Sequence, residues 1–466
     1  MNILCAFILL LSPMTATTAT IDLPEALSLA LAHAPELQAS RARSQAAVFQ
    51  RKSLRGRYGP RVEADLKAMH WDDNSEVDVI DVESLDLSEV PELFVEPLSS
   101  LMTQLAQPLE LRQQNTLTFS LSLVQPITPL YQVYQGHQIG QSAERIAHIR
   151  EQAQRRSLVF ETTRSYLLLL QAEELSRVTH QAEEAIAAHV QQARNFEAGG
   201  MIAHEQVLAA QVELASATQR RIQAEEALSL ARSQLARFCG LPMDQPLAPK
   251  ALPTFAEGPL PWSLEQAQGM ALASRKEIKL LKEKETISER RERMAWWDLT
   301  PQLAAVARYQ HNEGLDLEPS DEFFVGAVLQ WSLWEWGKDY YEARAHGAES
   351  EAARAQRAEV ASKLKLQVKQ RYLALDSARQ QVQVARRAVQ QAEEAQRLES
   401  LRFAQGLSTN TGVLDAQTRL SAARARQVVA RSKVWESWIQ LKLALGAQTD
   451  PTITEQDLKQ LHGREG

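Results

Sequence analysis

The residues with the first claim to chemistry are His204 and Glu205, which open like the His-Glu-x-x-His motif of zinc proteases. That chemistry needs two histidines one helical turn apart to hold the metal, with the glutamate as base. Leu208 stands where the second histidine belongs, so the pair reads as a surface pair. The 10 histidines fall at no metal-ligand spacing. Glu183-Glu184 and Glu393-Glu394 lie on charged stretches and read as solvated helix faces. No nucleophile elbow and no glycine-rich phosphate loop occurs. With a net charge of −7, nothing suggests a nucleic-acid footprint, which needs a basic face. The chain reads as a non-enzyme with no cofactor and no metal site.

The segment 72–115 is the other concentration of charge. It carries Asp72, Asp73, Glu76, Asp78, Asp81, Glu83, Asp86, Glu89, Glu92 and Glu96, with no Lys or Arg between Lys67 and Arg112. The spacing matches no calcium loop, and a solvated outer connection is its simplest reading.

What positions these residues is a chain written twice. Leu23, Ala26, Ala30, Leu31, Glu36 and Pro60 recur 241 residues later as Leu264, Ala267, Ala271, Leu272, Glu277 and Pro301. Val207, Ala210, Gln211, Leu214, Ala217 and Gly240 recur 206 residues later as Val413, Ala416, Gln417, Leu420, Ala423 and Gly446. The first copy therefore holds 241 − 206 = 35 extra residues, which fit in 72–115. A repeated unit of this size suggests one architecture used twice.

Each copy opens with a helix, running to about Arg57 and Trp297, behind a capping-box signal at Asp22-Leu-Pro-Glu25 and Ser263-Leu-Glu-Gln266. Alternation of period two follows. Val62, Ala64, Leu66 and Ala68 alternate with Glu63, Asp65, Lys67 and Met69; Leu117, Phe119, Leu121 and Leu123 alternate with Thr118, Ser120 and Ser122. In the second copy Leu303, Ala305, Ala307 and Tyr309 share a face, as do Phe323, Val325, Ala327, Leu329 and Trp331. Such strands fit either a soluble antiparallel sheet with a Trp-rich core or a barrel between lipid and a wet lumen. Tyr131, Tyr134, Trp331, Trp334 and Trp336 cluster just past them, where an interfacial aromatic girdle would sit. Four strands cannot close a membrane barrel, so a spanning sheet requires oligomerisation; three copies would give twelve strands.

Long helical stretches follow at about 138–198, 203–239, 338–405 and 411–446. The longest would extend roughly 90–100 Å at about 1.5 Å per residue. Val207, Ala210, Leu214 and Ala217, and their repeats, form a small-residue coiled-coil seam. Glycines at Gly199-Gly200 and Gly406 mark the turns. Residues 1–19 read as a secretory signal lacking a Lys or Arg before the apolar run, a buried N-terminal strand being the alternative. Its removal takes Cys5 and leaves Cys239 alone, so no intramolecular disulfide forms.

The leader, the capped helix before each strand pair, the tandem halves, and the Phe-x-x-Gly turns followed by Val-Leu-x-Ala together resemble the TolC-like outer-membrane channels of bacterial efflux and type I secretion. The resemblance covers about 22–448. It implies an α+β, mostly α fold: a first repeat at 20–250 with its strand pair at 60–126, a second at 251–448, and a C-terminal tail at 449–466. It further implies a homotrimer in the bacterial outer membrane. Four strands per protomer would enter a twelve-stranded transmembrane barrel, and coiled-coil helices would form a periplasmic tunnel. A periplasmic adaptor (membrane fusion) protein and an inner-membrane transporter would be the partners. The family narrows its tip with a pattern like Asp-Val-Leu-Asp. Here the matching stretch is Gly412-Val413-Leu414-Asp415, so Asp415 fits the second carboxylate and Gly412 replaces the first. Glu205 precedes the equivalent first-half stretch. Gly199, Gly200, Gly406 and Leu407 would be adaptor-contact turns by the same resemblance. The rival reading is a soluble periplasmic coiled-coil scaffold or adaptor subunit, which explains the helices but not the duplicated strand pairs.

Overall fold

The computed structural model describes residues 19–77, 97, 100–101, 109–253, 255, 260–316, 318–446 and 452–454. The expected signal segment 1–19 lies outside them except for Ala19, and the acidic connection does so for most of its length. The first half runs β1 (Ala19–Ile21), α1 (Leu23–His33), α2 (Pro35–Gly56), β2 (Arg61–His70), β3 (Ser75–Val77), β4 (Leu109–Arg112), β5 (Asn115–Pro126), α3 (Leu130–Ala198) and α4 (His204–Cys239). The second runs β6 (Leu247–Pro249), α5 (Leu264–Ser274), α6 (Lys276–Trp297), β7 (Gln302–Glu313), β8 (Asp321–Gln330), α7 (Lys338–Ala404) and α8 (Asn410–Leu445). The offset of 241 relates α1, α2 and β2 to α5, α6 and β7, and the offset of 206 relates β5 and α4 to β8 and α8.

The opening helix of each copy is two helices, not one. Proline forces the first break: Pro35 restricts the residue before it to extended backbone, and Ala34 has ψ 115°. The second copy breaks at Arg275 (ψ 130°) without a proline. There the Arg275 guanidinium donates to the carbonyl of Leu443 at 3.0 Å and to Gln367 Oε1 at 3.3 Å. Tertiary hydrogen bonding to the end of α8 takes the place of proline. The capping signals also differ. Ser263 and Gln266 form both halves of a capping box, whereas Asp22 caps α1 by accepting from the Glu25 amide at 2.8 Å.

The chain divides into two compact units. One comprises residues 1–45, 145–283 and 354–466 and is built from helices. Its core gathers Tyr166, Leu169, Leu235, Leu375, Trp438, Ile439 and Leu445, all buried. Trp438 stacks on Trp262 with ring centres 5.8 Å apart, and Phe255 meets Trp435 edge-on at 4.9 Å. The expected coiled-coil seam is present: Val207, Ala210, Ala217, Val413, Ala416, Leu420 and Ala423 are buried. A short parallel ladder joins β1 to β6, with Ala19 opposite Leu247. Residues 452–454 of the expected tail are packed rather than free, since the buried Lys442 ammonium donates to the Thr452 carbonyl at 2.9 Å.

The other unit comprises residues 46–144 and 284–353. It holds a four-stranded antiparallel sheet in the order β2-β5-β7-β8, so the strand pairs of the two repeats meet at its centre. The acidic connection is structured at its base, where β3 pairs with β4 and the Arg112 guanidinium lies 3.8 Å from the Trp71 ring centre.

Candidate functional site

The register of the sheet aligns every alternating strand. Val62, Leu123, Ala307 and Val325 form one cross-strand row, and Ala64, Leu121, Tyr309 and Phe323 the next. Ala68 with Leu117, Leu66 with Phe119, Ala305 with Ala327 and Leu303 with Leu329 continue the same face. The opposite face carries Glu63-Ser122-Arg308-Phe324 and Asp65-Ser120-Gln310-Glu322, with Val124-Val306 and Ala304-Val328 at the helix-bearing end. Side chains alternate across a strand, so a one-residue slip would have mixed the two faces. No described element covers the apolar one: Leu66 is 67% exposed, Phe323 69% and Val325 70%. Within the described residues β2 and β8 are edge strands with one paired neighbour each.

The aromatic residues gather at the end of the sheet that carries the helices. Trp331 donates its indole N–H to the Leu299 carbonyl at 3.2 Å, and Trp334 meets Trp336 edge-on at 6.0 Å. Tyr134, Trp331, Trp334 and Trp336 are exposed. Tyr131 is half-buried, because its ring packs 4.3 Å from that of Trp297. Trp336 is the sole non-glycine residue with positive φ (54°) among the described residues. Trp296, Trp297, Tyr340 and Tyr341 join this region through ring contacts. The Trp-Trp and Tyr-Tyr doublets beside the strand ends were their sequence signal. The Trp-rich core lies in the helical unit instead, around Trp262, Trp435 and Trp438.

The helical unit carries the two hairpin turns. Gly200 and Gly406 both have φ 73°, the left-handed conformation that closes a helix. Met201 N–H donates to the Phe196 carbonyl and Leu407 N–H to that of Arg402, each at 2.8 Å. The turns are thus equivalent, with Gly199 preceding the left-handed position. Their apices expose Met201 and Leu407, of which the sequence reading named only Leu407.

Asp415 is exposed on α8, between the buried Leu414 and Ala416. Glu205 is exposed in the first turn of α4, and no hydrogen bond or ion pair joins the two carboxylates. His204 Nδ1 lies 2.6 Å from Glu197 Oε1 and is not paired with Glu205, so the zinc-like pair is a surface hydrogen-bond contact with a different partner. Gly412 amide caps on Thr409 Oγ1 at 3.2 Å. A Cβ on Gly412 would lie 2.9 Å from Ser408 Oγ and 3.3 Å from Glu399 Oε2. Ser408 donates to that carboxylate at 2.6 Å. A carboxylate therefore occupies the neighbourhood of residue 412, supplied by Glu399 of α7, and nothing in the local sequence pointed to it.

Behind these residues a buried polar link joins the two hairpins. His189 Nε2 lies 2.6 Å from Asn410 Oδ1, and Asn410 Nδ2 donates to the Gln206 carbonyl at 2.8 Å. Since the Asn410 amide nitrogen is the donor to Gln206, its oxygen accepts, which puts the histidine proton on Nε2. Phe403 packs against the ring and is itself backed by Phe196. Burial pulls the His189 pKa below the ordinary imidazole value, against the opposing Asn410 hydrogen bond. Among the described residues no cluster of His, Cys, Asp and Glu could hold a metal. No described helix is long and apolar enough to cross a membrane.

The sequence pattern of the outer membrane efflux protein family matches residues 26–241 and again 266–447, once per repeat. The chain belongs to that family. Its fold is that of solved outer-membrane channels. VceC from Vibrio cholerae aligns with a TM-score of 0.74 at 17% identity, covering 91% of this chain and 96% of that one. The CmeC channel of Campylobacter jejuni aligns at 0.76 and 14%, covering 94% and 88%. The open state of the MtrE channel of Neisseria gonorrhoeae aligns at 0.67 and 15%, covering 93% and 91%. No curated protein sequence matches the chain. As an outer membrane efflux protein it is a bacterial outer-membrane channel component.

Proposed function

We propose that three copies of the chain close a twelve-stranded barrel that serves as a passive exit duct. The sheet carries this reading: its apolar face is exposed and its edges, β2 and β8, each lack a second neighbour. An open edge in hydrocarbon leaves backbone N–H and C=O groups unsatisfied, at several kcal/mol each. Pairing β8 of one copy with β2 of the next removes every edge. A soluble scaffold would leave both the face and the edges unexplained.

The register supports closure quantitatively. The apolar stretch is centred near Ala64–Asp65 on β2 and Ser120 on β5, whose register partner on β7 is Gln310. On β7 and β8 it is centred near Val306 and Gly326, four residues away along β7. Lipid bounds a level band, so a slip of four residues over the three spacings of the sheet means strands inclined to the barrel axis. Four residues (about 13 Å) over three strand spacings (about 14 Å) give a tilt of about 43°, within the range for membrane barrels.

In this reading the long helices form a periplasmic conduit, and a periplasmic adaptor docks at the turns around Gly199, Gly200, Gly406 and Leu407. An inner-membrane transporter, in an efflux pump or type I secretion system, supplies the energy. The conduit is gated where Asp415, beside Gly412 and Glu205, rings the pore tip and favours cations through close like charges. Residues 1–19 act as the export signal.

The test is native mass in mild detergent followed by conductance in planar bilayers. A detergent-requiring trimer whose cation selectivity falls in Asp415→Asn supports the whole reading. A soluble monomer defeats the barrel. Unchanged conductance and cation block in Asp415→Asn removes the tip role alone.

A further inference from the structure

Between Glu36 and Glu63 the chain has no acidic residue and seven cations, Arg41, Arg43, Arg51, Lys52, Arg55, Arg57 and Arg61, in a protein of net charge −7. Two of them are neutralised locally. Arg51 pairs with Glu144, and Arg61 lies 3.0 Å from Glu63. Lys52, Arg55 and Arg57, at the end of α2 and just beyond it, are exposed and have no carboxylate partner among the described residues. Lys52 Nζ stands 5.6 Å above the ring of Phe49, which is itself 57% exposed. The surface is thus cationic with an outward aromatic ring, four residues before β2 begins at Arg61 and its apolar face at Val62.

The internal repeat shows that the fold does not require two of these cations, Arg55 and Arg57. Cations at a helix C-terminus complement the dipole, yet α6, the counterpart of α2, has no basic residue in its last turn. At the offset of 241, Lys52, Arg55 and Arg57 correspond to Arg293, Trp296 and Asp298. The two repeats therefore differ where helix gives way to strand: Lys52 has a cationic counterpart in Arg293, whereas Arg55 and Arg57 give way to Trp296 and Asp298.

We infer that Phe49, Lys52, Arg55 and Arg57 form a docking surface for an anionic phospholipid leaflet at the helix-bearing end of the sheet. The inference rests on the reading that the sheet spans a bilayer. Its partner follows from charge complementarity and continuity. The cations lie where the apolar face stops, which is the level of lipid phosphates, and guanidinium groups bind phosphate through several hydrogen bonds at once. Tryptophans at the same end of the sheet suit the neutral interface, so the first repeat adds the lipid selectivity that the second lacks.

The test uses the full-length protein in phospholipid vesicles of phosphatidylcholine alone or mixed with phosphatidylglycerol. The readout is the phosphatidylglycerol retained when the protein is re-extracted, at low and physiological salt. The triple variant Lys52→Gln, Arg55→Gln, Arg57→Gln is compared with Arg41→Gln, Arg43→Gln, which removes exposed charge from an earlier part of α2. A charge near an anionic surface is worth about fivefold in partitioning. The triple variant is expected to insert into neutral vesicles like the parent and to lose most of the anionic-lipid enrichment, with the double variant unchanged. Equal enrichment in the triple variant and the parent overturns the inference, as does an equal loss in the double variant. A parent protein that enters neither kind of vesicle defeats the spanning reading and the inference with it.

Discussion

Val325→Arg is the substitution that separates a lipid-facing sheet from a wet one. Val325 lies next to the centre of the apolar stretch of β8, in the row Val62-Leu123-Ala307-Val325, and is 70% exposed. In a water-soluble fold, an exposed valine changed to arginine alters stability by about 0.5 kcal/mol or less. In a bilayer the same change near the midplane costs about 2–4 kcal/mol per protomer. Even the lower figure changes the folded-to-unfolded ratio about thirtyfold. Ser120→Arg is the internal control. Ser120 lies on the opposite face with Asp65 and Gln310 as cross-strand neighbours, so a new guanidinium there meets water and a carboxylate. Urea unfolding of vesicle-inserted protein, followed by tryptophan fluorescence, gives both numbers. A large loss for Val325→Arg and nearly none for Ser120→Arg is expected. Similar small effects at both positions would refute the assignment of faces, and a larger effect at Ser120 would invert it.

Gly240→Ala should destabilise the helical unit by about 2–4 kcal/mol in thermal unfolding, since left-handed backbone disfavours a Cβ and overpacking adds to it; Gly240 has φ 70° and the new Cβ would lie 2.7 Å from His33 Cβ. Arg275→Met should cost about 1–3 kcal/mol by stripping the Leu443 carbonyl and Gln367 of their donor. Because burial depresses the His189 pKa, its contribution is full above the unfolded value of about 6.5 and is lost as pH falls through the folded value. Protection factors of the hairpin-end amides, with the intrinsic pH dependence of exchange divided out, should therefore fall on acidification in the parent and fall less in His189→Gln.

How much of this could be read from residues alone depended on whether a contact was local. Alternation, strict in β2 and β5 and weaker in β7 and β8, reports which side each residue takes, and the strands formed where it occurs. The seam of Val207, Ala210, Val413 and Ala416 is likewise a property of one helix, and all four are buried. Pro35 announced a break that the hydrophobic period concealed; Arg275 announced nothing, because its break is held by residues more than 90 positions away. The β1–β6 ladder is three residues long and joins segments more than 220 residues apart, so it leaves no periodic trace. At the start of α8, Gly412 looked like a missing carboxylate because a motif counts only its own positions. Glu399 reaches that place from the preceding helix, held by Ser408.

The sheet shows the same limit at larger scale. Each strand declares its own apolar face, but the four-residue slip between the first and second repeats exists only in their pairing. That slip, and not the alternation, decides whether the sheet lies flat or inclines. A flat apolar face would suit packing against another soluble layer. An inclined one, with two open edges, suits a level band of lipid and a ring of copies. The choice between scaffold and channel thus rests on a relation between strands from different repeats. The duplication places a strand pair with an exposed apolar face in each half, and in the proposed three-copy barrel the out-of-step pairing of β5 with β7 would supply the tilt.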